Sequence, residues 1–316
     1  MKPQKCLTLC LLALASLFLV ACGSSQTDTG KQSSTEISRM PKIKGFTYYG
    51  KIPENPKKVV NLAYSYTGYL LKLGVNVSSY SLDLEKNSPA FGEQLKGLPQ
   101  LTSGDTEAIA AQEPDLIIVF SLDENIDKLK EIAPVLSIEF GASDYLQVLN
   151  QFGQVFNKEK EATAWRKAWD QKVLKAKKAL ANTLSPDTTF TVMDFYDKNI
   201  YLYGKEFGRG SELVYQALGY QAPSKVRENV FKKGWFNVSQ EVIGDYIGDY
   251  ALVNVNADNQ KAAASLKESD VWKNIPAVKA GHVLDVDYNL FYFADPMSLD
   301  LQLDAFKEAV EKVNNP

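Results

Sequence analysis

Lys158 to Ala181 contains neither glycine nor proline, and its apolar residues Ala162, Trp165, Trp169, Val173, Ala176 and Leu180 step by three or four. That spacing puts them on one stripe of a single amphipathic helix. At about 1.5 Å per residue the helix would run roughly 36 Å, the width of a small domain. Short strand-and-helix alternation stands on both sides of it. Before it come the apolar run Val59–Ala63, a helix ending at Gly74, a β-like stretch from Val75 to Tyr80, and a helix from Asp105 to Gln112 with Asp105 as N-cap. The buried strand Asp115–Phe120, a helix from Asn125 to Ile132 and the strand Val135–Phe140 follow. Beyond Pro186 come strands at Thr189–Phe195 and Ile200–Tyr203, helices at Ser211–Leu218 and Ser239–Ile247, strands at Tyr250–Val255 and Val283–Val286, and a terminal helix at Leu299–Val313. The expected fold is therefore α/β: two α/β lobes with parallel-type central sheets, joined by one long connecting helix, with a ligand cleft between them. The N-terminal lobe is expected over 45–155, the connecting helix over 156–185 and the C-terminal lobe over 186–316.

The first residues belong to export rather than to the fold. Lys2 and Lys5 precede an apolar run from Leu7 to Val20 that is short for a membrane span. It ends Leu19-Val20-Ala21-Cys22, which resembles a bacterial lipobox. Residues 1–21 then read as a signal peptide, Cys22 as the lipidated first residue of the mature chain, and 22–44 as a flexible Ser/Thr/Gln/Lys-rich tether. The three cysteines are Cys6, Cys10 and Cys22, so the folded part has no disulfide framework and no thiolate chemistry. A formal net charge of −3 argues against a nucleic-acid partner. The one histidine, His282, and the lack of a His/Asp/Glu cluster at ligand spacing argue against a protein-held metal. No Gly-x-Ser-x-Gly elbow supports a hydrolase.

One stretch reads as a binding loop. Ile200 to Ser211 is a short aromatic strand, then a loop in which Gly204, Gly208 and Gly210 surround Phe207 and Arg209, then the start of a helix. A loop loosened in this way presents side chains to something outside the core. Tyr201, Phe207 and Arg209 are the candidate contacts; packing in the core for the aromatics, and pairing with Glu206 or Glu212 for the arginine, are the competing readings. Tyr64 and Tyr66 lie in the first strand-to-helix loop, where open α/β sheets bind ligands. Tyr288, Phe291, Tyr292 and Phe293 are too close together for one face to bury them all.

Several segments extend this reading. They are Asn61-Leu-Ala-Tyr-Ser-Tyr-Thr-Gly68, Glu113-Pro-Asp-Leu-Ile-Ile-Val119, the run from Tyr203 through Gly-Arg-Gly to Gly219, Val271-Trp-Lys-Asn274, Gly281-His-Val-Leu-Asp-Val-Asp287 and Asp295-Pro296. With the lipobox and the single connecting helix, they make the mature chain similar to the ferric-hydroxamate siderophore-binding lipoproteins of Gram-positive bacteria. These are substrate-binding proteins of ABC importers in the siderophore, haem and cobalamin class.

The resemblance implies a shallow cleft gripped mainly by the C-terminal lobe, through Arg209, Phe207, Tyr201 and Tyr292, with Phe140 from the N-terminal lobe. The family usually has tryptophan where this chain has Phe207 and Tyr292, and often tyrosine at Phe140, so the aromatic faces are kept while indole and phenol donors are lost. It implies a monomer that does no chemistry and needs no cofactor, because the siderophore supplies every iron ligand. Aromatics would cover the chelate's apolar ribs and an arginine fork its hydroxamate oxygens. Glu107 and Glu241, each expected in the first turn of a helix, suit the helix dipole. By resemblance they also dock onto an ABC permease, which works with its ATPase. The implied location is the outer face of the cell membrane, held by the lipid on Cys22. A haem or other iron-chelate receptor of the same class and an α/β surface hydrolase are the alternatives.

Overall fold

The computed structural model describes residues 40–196 and 199–315. The signal peptide, Cys22 and most of the tether lie outside the described residues.

The N-terminal sheet is built from β1 (Phe46–Tyr49), β2 (Val59–Asn61), β3 (Val77–Ser79), β4 (Leu116–Phe120) and β5 (Val135–Ile138), in the order β1-β5-β4-β2-β3. Its pairs are parallel except at one edge, where β1 runs antiparallel to β5 with Phe46 opposite Ile138. All of β5 and all of β4 but Phe120 are buried, as unbroken apolar runs in a covered sheet should be.

The C-terminal sheet comprises β6 (Phe190–Tyr196), β7 (Asn199–Tyr203), β8 (Trp235–Val238), β9 (Tyr250–Val255) and β10 (Val283–Asp287), in the order β10-β9-β6-β7-β8. Here β10, β9 and β6 are parallel, whereas β7 is antiparallel to both β6 and β8. The sheets are thus mixed rather than of purely parallel type. The stretch joining β6 to β7 is too short for a crossover, so the two strands must form a hairpin.

The connecting helix spans Glu159–Leu180 and buries the stripe read from the sequence, from Ala162 to Leu180. Its two indoles stack, with ring centroids 5.5 Å apart, and their N–H groups point to opposite lobes. Trp169 Nε1 donates to the Tyr145 hydroxyl at 3.2 Å, and Trp165 Nε1 donates to Asp300 at 3.0 Å.

The last helix, Pro296–Asn314, makes a second tie. Asp295 caps it by accepting from the backbone N–H of Met297 at 2.8 Å and of Ser298 at 3.1 Å, and Pro296 takes the first helical position. Just before it, the Ala294 carbonyl accepts from the Tyr69 hydroxyl of the other lobe at 3.0 Å. One turn into it, Asp300 meets Lys72 of the N-terminal lobe at 3.3 Å. One hydrophobic cluster runs from Ile52 and Tyr69 through Trp169 to Phe190 and Val310, so both lobes share a core.

Two local expectations are corrected. Ser239–Ile247 is not a helix; only the single 3-10 turn Ile243–Asp245 forms there, in a stretch that carries Gly244 and is followed at once by Gly248. Asp105 stands at an N-cap, but its carboxylate accepts from the Thr102 N–H and hydroxyl, both at 2.7 Å, rather than from the helix.

Candidate ligand-binding cleft

A cleft of about 950 Å³ opens between the lobes. Its C-terminal wall starts at the end of β7, where the Gly204 N–H donates to the Gly234 carbonyl at 2.6 Å and pins the strand to the segment leading into β8. The chain then turns through three successive left-handed residues, Gly208 (φ 69°), Arg209 (φ 58°) and Gly210 (φ 88°). A β-carbon on Gly208 would overlap the Tyr292 carbonyl oxygen, so glycine is required there both for conformation and for space. For Arg209 the same backbone costs on the order of 1 kcal/mol, and the side chain shows what holds it.

Arg209 Nε donates to Asp194 Oδ2 at 3.1 Å, and the Tyr203 hydroxyl donates to the same oxygen at 2.8 Å. The guanidinium carbon lies 3.8 Å from the Tyr292 ring centre, 5.0 Å from that of Tyr203 and 5.8 Å from that of Tyr288. Aromatic faces of this kind stabilise a cation as water is withdrawn. Burial opposes the Arg209 charge, but Tyr203, Tyr292 and Asp194 outweigh it and hold the guanidinium firmly protonated.

Phe207 packs closely against Gly234, where a β-carbon would overlap its ring. It meets Phe140 of the other lobe nearly edge-on, with ring centroids 5.6 Å apart. Tyr201 is half-buried and pairs with Trp235 at 5.6 Å. Trp235 is 48% exposed and lines the cleft, so the wall keeps one indole. Sequence reasoning passed over it because β8 carries no clear alternation; the signal available was Gly234-Trp235 following a lysine pair.

The N-terminal wall is simpler. Phe140 is 47% exposed, lies beyond the end of β5 rather than in the strand, and stands against Phe120 at 6.2 Å. Tyr64 packs edge-on to Phe120 at 5.1 Å. Tyr66 reaches the cleft lining but is mostly core, packed on Tyr69, Phe120 and Phe152.

The structure therefore brings Arg209, Phe207, Tyr201, Tyr292, Phe140, Tyr64 and Tyr66 to one cleft. Arg209 is the one cation among its described lining residues. Lys205 turns away over the Phe231 ring at 5.7 Å, and Arg227 bonds the Ala222 carbonyl. Carboxylates are more numerous: Glu139, Asp144, Asp194, Glu206 and Glu212. Glu212 is buried and begins a π-helical segment, Glu212–Ala217, in the stretch read as an ordinary helix. Both its oxygens lie near the Gly208 N–H, at 3.1 and 3.0 Å, and burial pushes its carboxyl up to about 7.

The two expected docking residues lie outside the cleft, as does the one histidine. Glu107 is exposed in the first turn of Thr106–Ala111. Glu241 is exposed in a turn ahead of Ile243–Asp245 and not in the first turn of a helix, since that helix does not form. His282 stacks on Tyr250 at 4.2 Å with its Nδ1 3.1 Å from the Asp249 carbonyl oxygen, and it does not line the cleft. Among the described residues no group of three or more His, Cys, Asp and Glu is arranged to hold a metal ion, and no helix is long and apolar enough to cross a membrane.

Two α/β lobes clamped on one long helix, with an aromatic cleft between them, define a solute-binding protein. The chain belongs to the periplasmic binding protein family, whose model matches residues 59–290, and so to a family of transport receptors rather than enzymes. It is 34% identical to the iron(3+)-hydroxamate-binding protein FhuD of Bacillus subtilis over 96% of both chains. It is 28% identical to the probable siderophore-binding lipoprotein YfiY of the same organism, over 87% of this chain and 88% of that one. Among solved structures, FhuD2 from Staphylococcus aureus with bound ferrioxamine B superposes with a TM-score of 0.76 at 32% identity, covering 82% of this chain and all of that one.

Proposed function

We propose that this chain is a lipid-anchored extracytoplasmic receptor that captures ferric hydroxamate siderophores and delivers them to an ABC permease for iron uptake. The observation that carries the reading is the C-terminal wall: one arginine fixed by Asp194, framed by Tyr203, Tyr288 and Tyr292, with Phe207, Tyr201 and Trp235 beside it. A ferric trihydroxamate is a compact complex with apolar ribs and a patch of electron-rich oxygens. Flat aromatic faces cover the first at little entropic cost, and a guanidinium bonds the second. The siderophore supplies all the iron ligands and the protein none. The hydroxamate-binding name of the relative at 34% identity and the ferrioxamine-bound neighbour point the same way.

The receptor works as a monomer, tethered through lipidated Cys22 on the outer face of the membrane. Exposed Glu107 and Glu241, one on each lobe and both away from the cleft, are its contacts to the permease. Quenching of tryptophan fluorescence by ferrioxamine B, ferrichrome and haemin tests the reading. Saturable quenching by a hydroxamate, lost in signal when Trp235 is replaced by phenylalanine, is expected. Tight haemin binding with no hydroxamate response would overturn it.

A further inference from the structure

The cleft's only described cation is already neutralised from behind. Asp194 is almost fully buried, and its Oδ2 holds both Arg209 Nε and the Tyr203 hydroxyl. Its Oδ1 is buried with no hydrogen-bond partner among the described residues. A site built for an anion would leave its arginine uncompensated, because a countercharge at 3.1 Å cancels most of the field that a ligand would feel. Around this neutral pair the lining adds the carboxylates of Glu139, Asp144 and Glu206, with no further cation among the described residues. We propose that Asp194 is a positioning residue that also sets ligand charge: it aims the Arg209 fork while cancelling its field, so the cleft takes neutral or cationic iron chelates and rejects anionic ones.

The inference rests on the iron-chelate reading above and names the part of that ligand class the cleft accepts. Neutral trihydroxamates, and those with a pendant ammonium, fit it. Chelates whose catecholate or carboxylate donors leave the iron complex negatively charged do not. Glu139 and Glu206 are exposed at the rim, where a pendant ammonium would meet them without desolvating a buried charge.

The test uses ferrioxamine B and its N-acetyl and N-succinyl derivatives. The three share one iron–trihydroxamate core and carry a positive, a neutral and a negative tail. With the wild-type chain at low salt, the succinyl form is expected to bind about tenfold more weakly than ferrioxamine B, and the gap should shrink at high salt. Asp194→Asn removes the countercharge while its amide oxygen can keep both hydrogen bonds, because the amide nitrogen takes the place of the unpartnered Oδ1. In that variant the succinyl form should gain and the gap close. Glu206→Gln, on an exposed loop, should narrow the gap by about two- to threefold, and it decides the matter with the wild-type order should Asp194→Asn not fold. Equal wild-type affinities for all three tails, or an unchanged order in the variants that fold, would overturn this inference alone. Failure of all three to bind would overturn the iron-hydroxamate reading and this inference with it.

Discussion

The two walls of the cleft are built on different principles. The N-terminal wall is a chain of rings, Tyr64 and Tyr66 on Phe120 and Phe120 on Phe140, with Glu139 and Asp144 beside them and no cation among its described lining residues. Those rings lean on the core of their own lobe and present an apolar surface. The C-terminal wall is polar machinery inside an aromatic frame, with an ion pair, a left-handed loop and a buried carboxylate within a few residues of one another. The difference teaches where recognition resides. On the proposed reading, the N-terminal wall mainly covers the ligand, with Glu139 and Asp144 adding to the cleft's negative charge, and the C-terminal wall contacts its oxygens. The two do not have to swing far to meet, because Phe140 already touches Phe207 and the lobes are tied through Trp165, Trp169, Tyr69 and Asp300.

The largest expected effect comes from breaking the C-terminal wall at its backbone. Gly208→Val forces a side chain into the Tyr292 carbonyl at a positive φ, and urea unfolding should show a loss on the order of 3 kcal/mol or more, with ligand binding abolished. Next, Arg209→Ala should weaken a ferric trihydroxamate by about 1.5–3 kcal/mol in a fluorescence titration, the scale of a charged hydrogen bond. Phe140→Ala, on the shielding wall, should cost only about 0.5–1.5 kcal/mol.

The buried carboxylate separates the walls by pH. The folded-state pKa of Glu212 is raised from 4.5 to about 7, so the folded protein holds its proton where the unfolded chain has lost it. Its contribution to stability is complete below the unfolded value and is lost as pH rises toward 7. Glu85, Asp194 and Asp295 are shifted in the same direction by burial, so the comparison must be with Glu212→Gln. That variant should lose less stability between pH 4.5 and 7 in paired melting curves, and an identical pH dependence would remove Glu212 from the explanation. The smallest effect on binding belongs to Glu107→Ala with Glu241→Ala: affinity should change by less than about 0.5 kcal/mol, while cellular uptake of the iron complex falls.

Much of the frame was legible in the sequence because it rests on periodicity. The stripe from Ala162 to Leu180 and the apolar runs of β4 and β5 describe their own burial. The loop at Arg209 was legible for a different reason, since closely spaced glycines mark backbone that ordinary residues avoid. What was missed depends on partners distant in the chain. Nothing local to Asp194 says that Arg209 will sit on it, and nothing local to Trp235 says that β8 will lie beside β7. Ser239–Ile247 had the apolar spacing of a helix, but Gly244 within it, Gly248 just after it and the turn into β9 left room for a single 3-10 turn. The π-helical spacing at Glu212 is likewise invisible to a pattern that only distinguishes helix from strand.

The division of labour between the walls can be tested in one experiment: titration of ferrioxamine B into wild-type, Arg209→Ala and Phe140→Ala proteins under identical conditions. Recognition by the C-terminal wall requires the arginine variant to lose clearly more affinity than the phenylalanine variant, with both still folded. A larger loss at Phe140, or an unchanged affinity at Arg209, would contradict it.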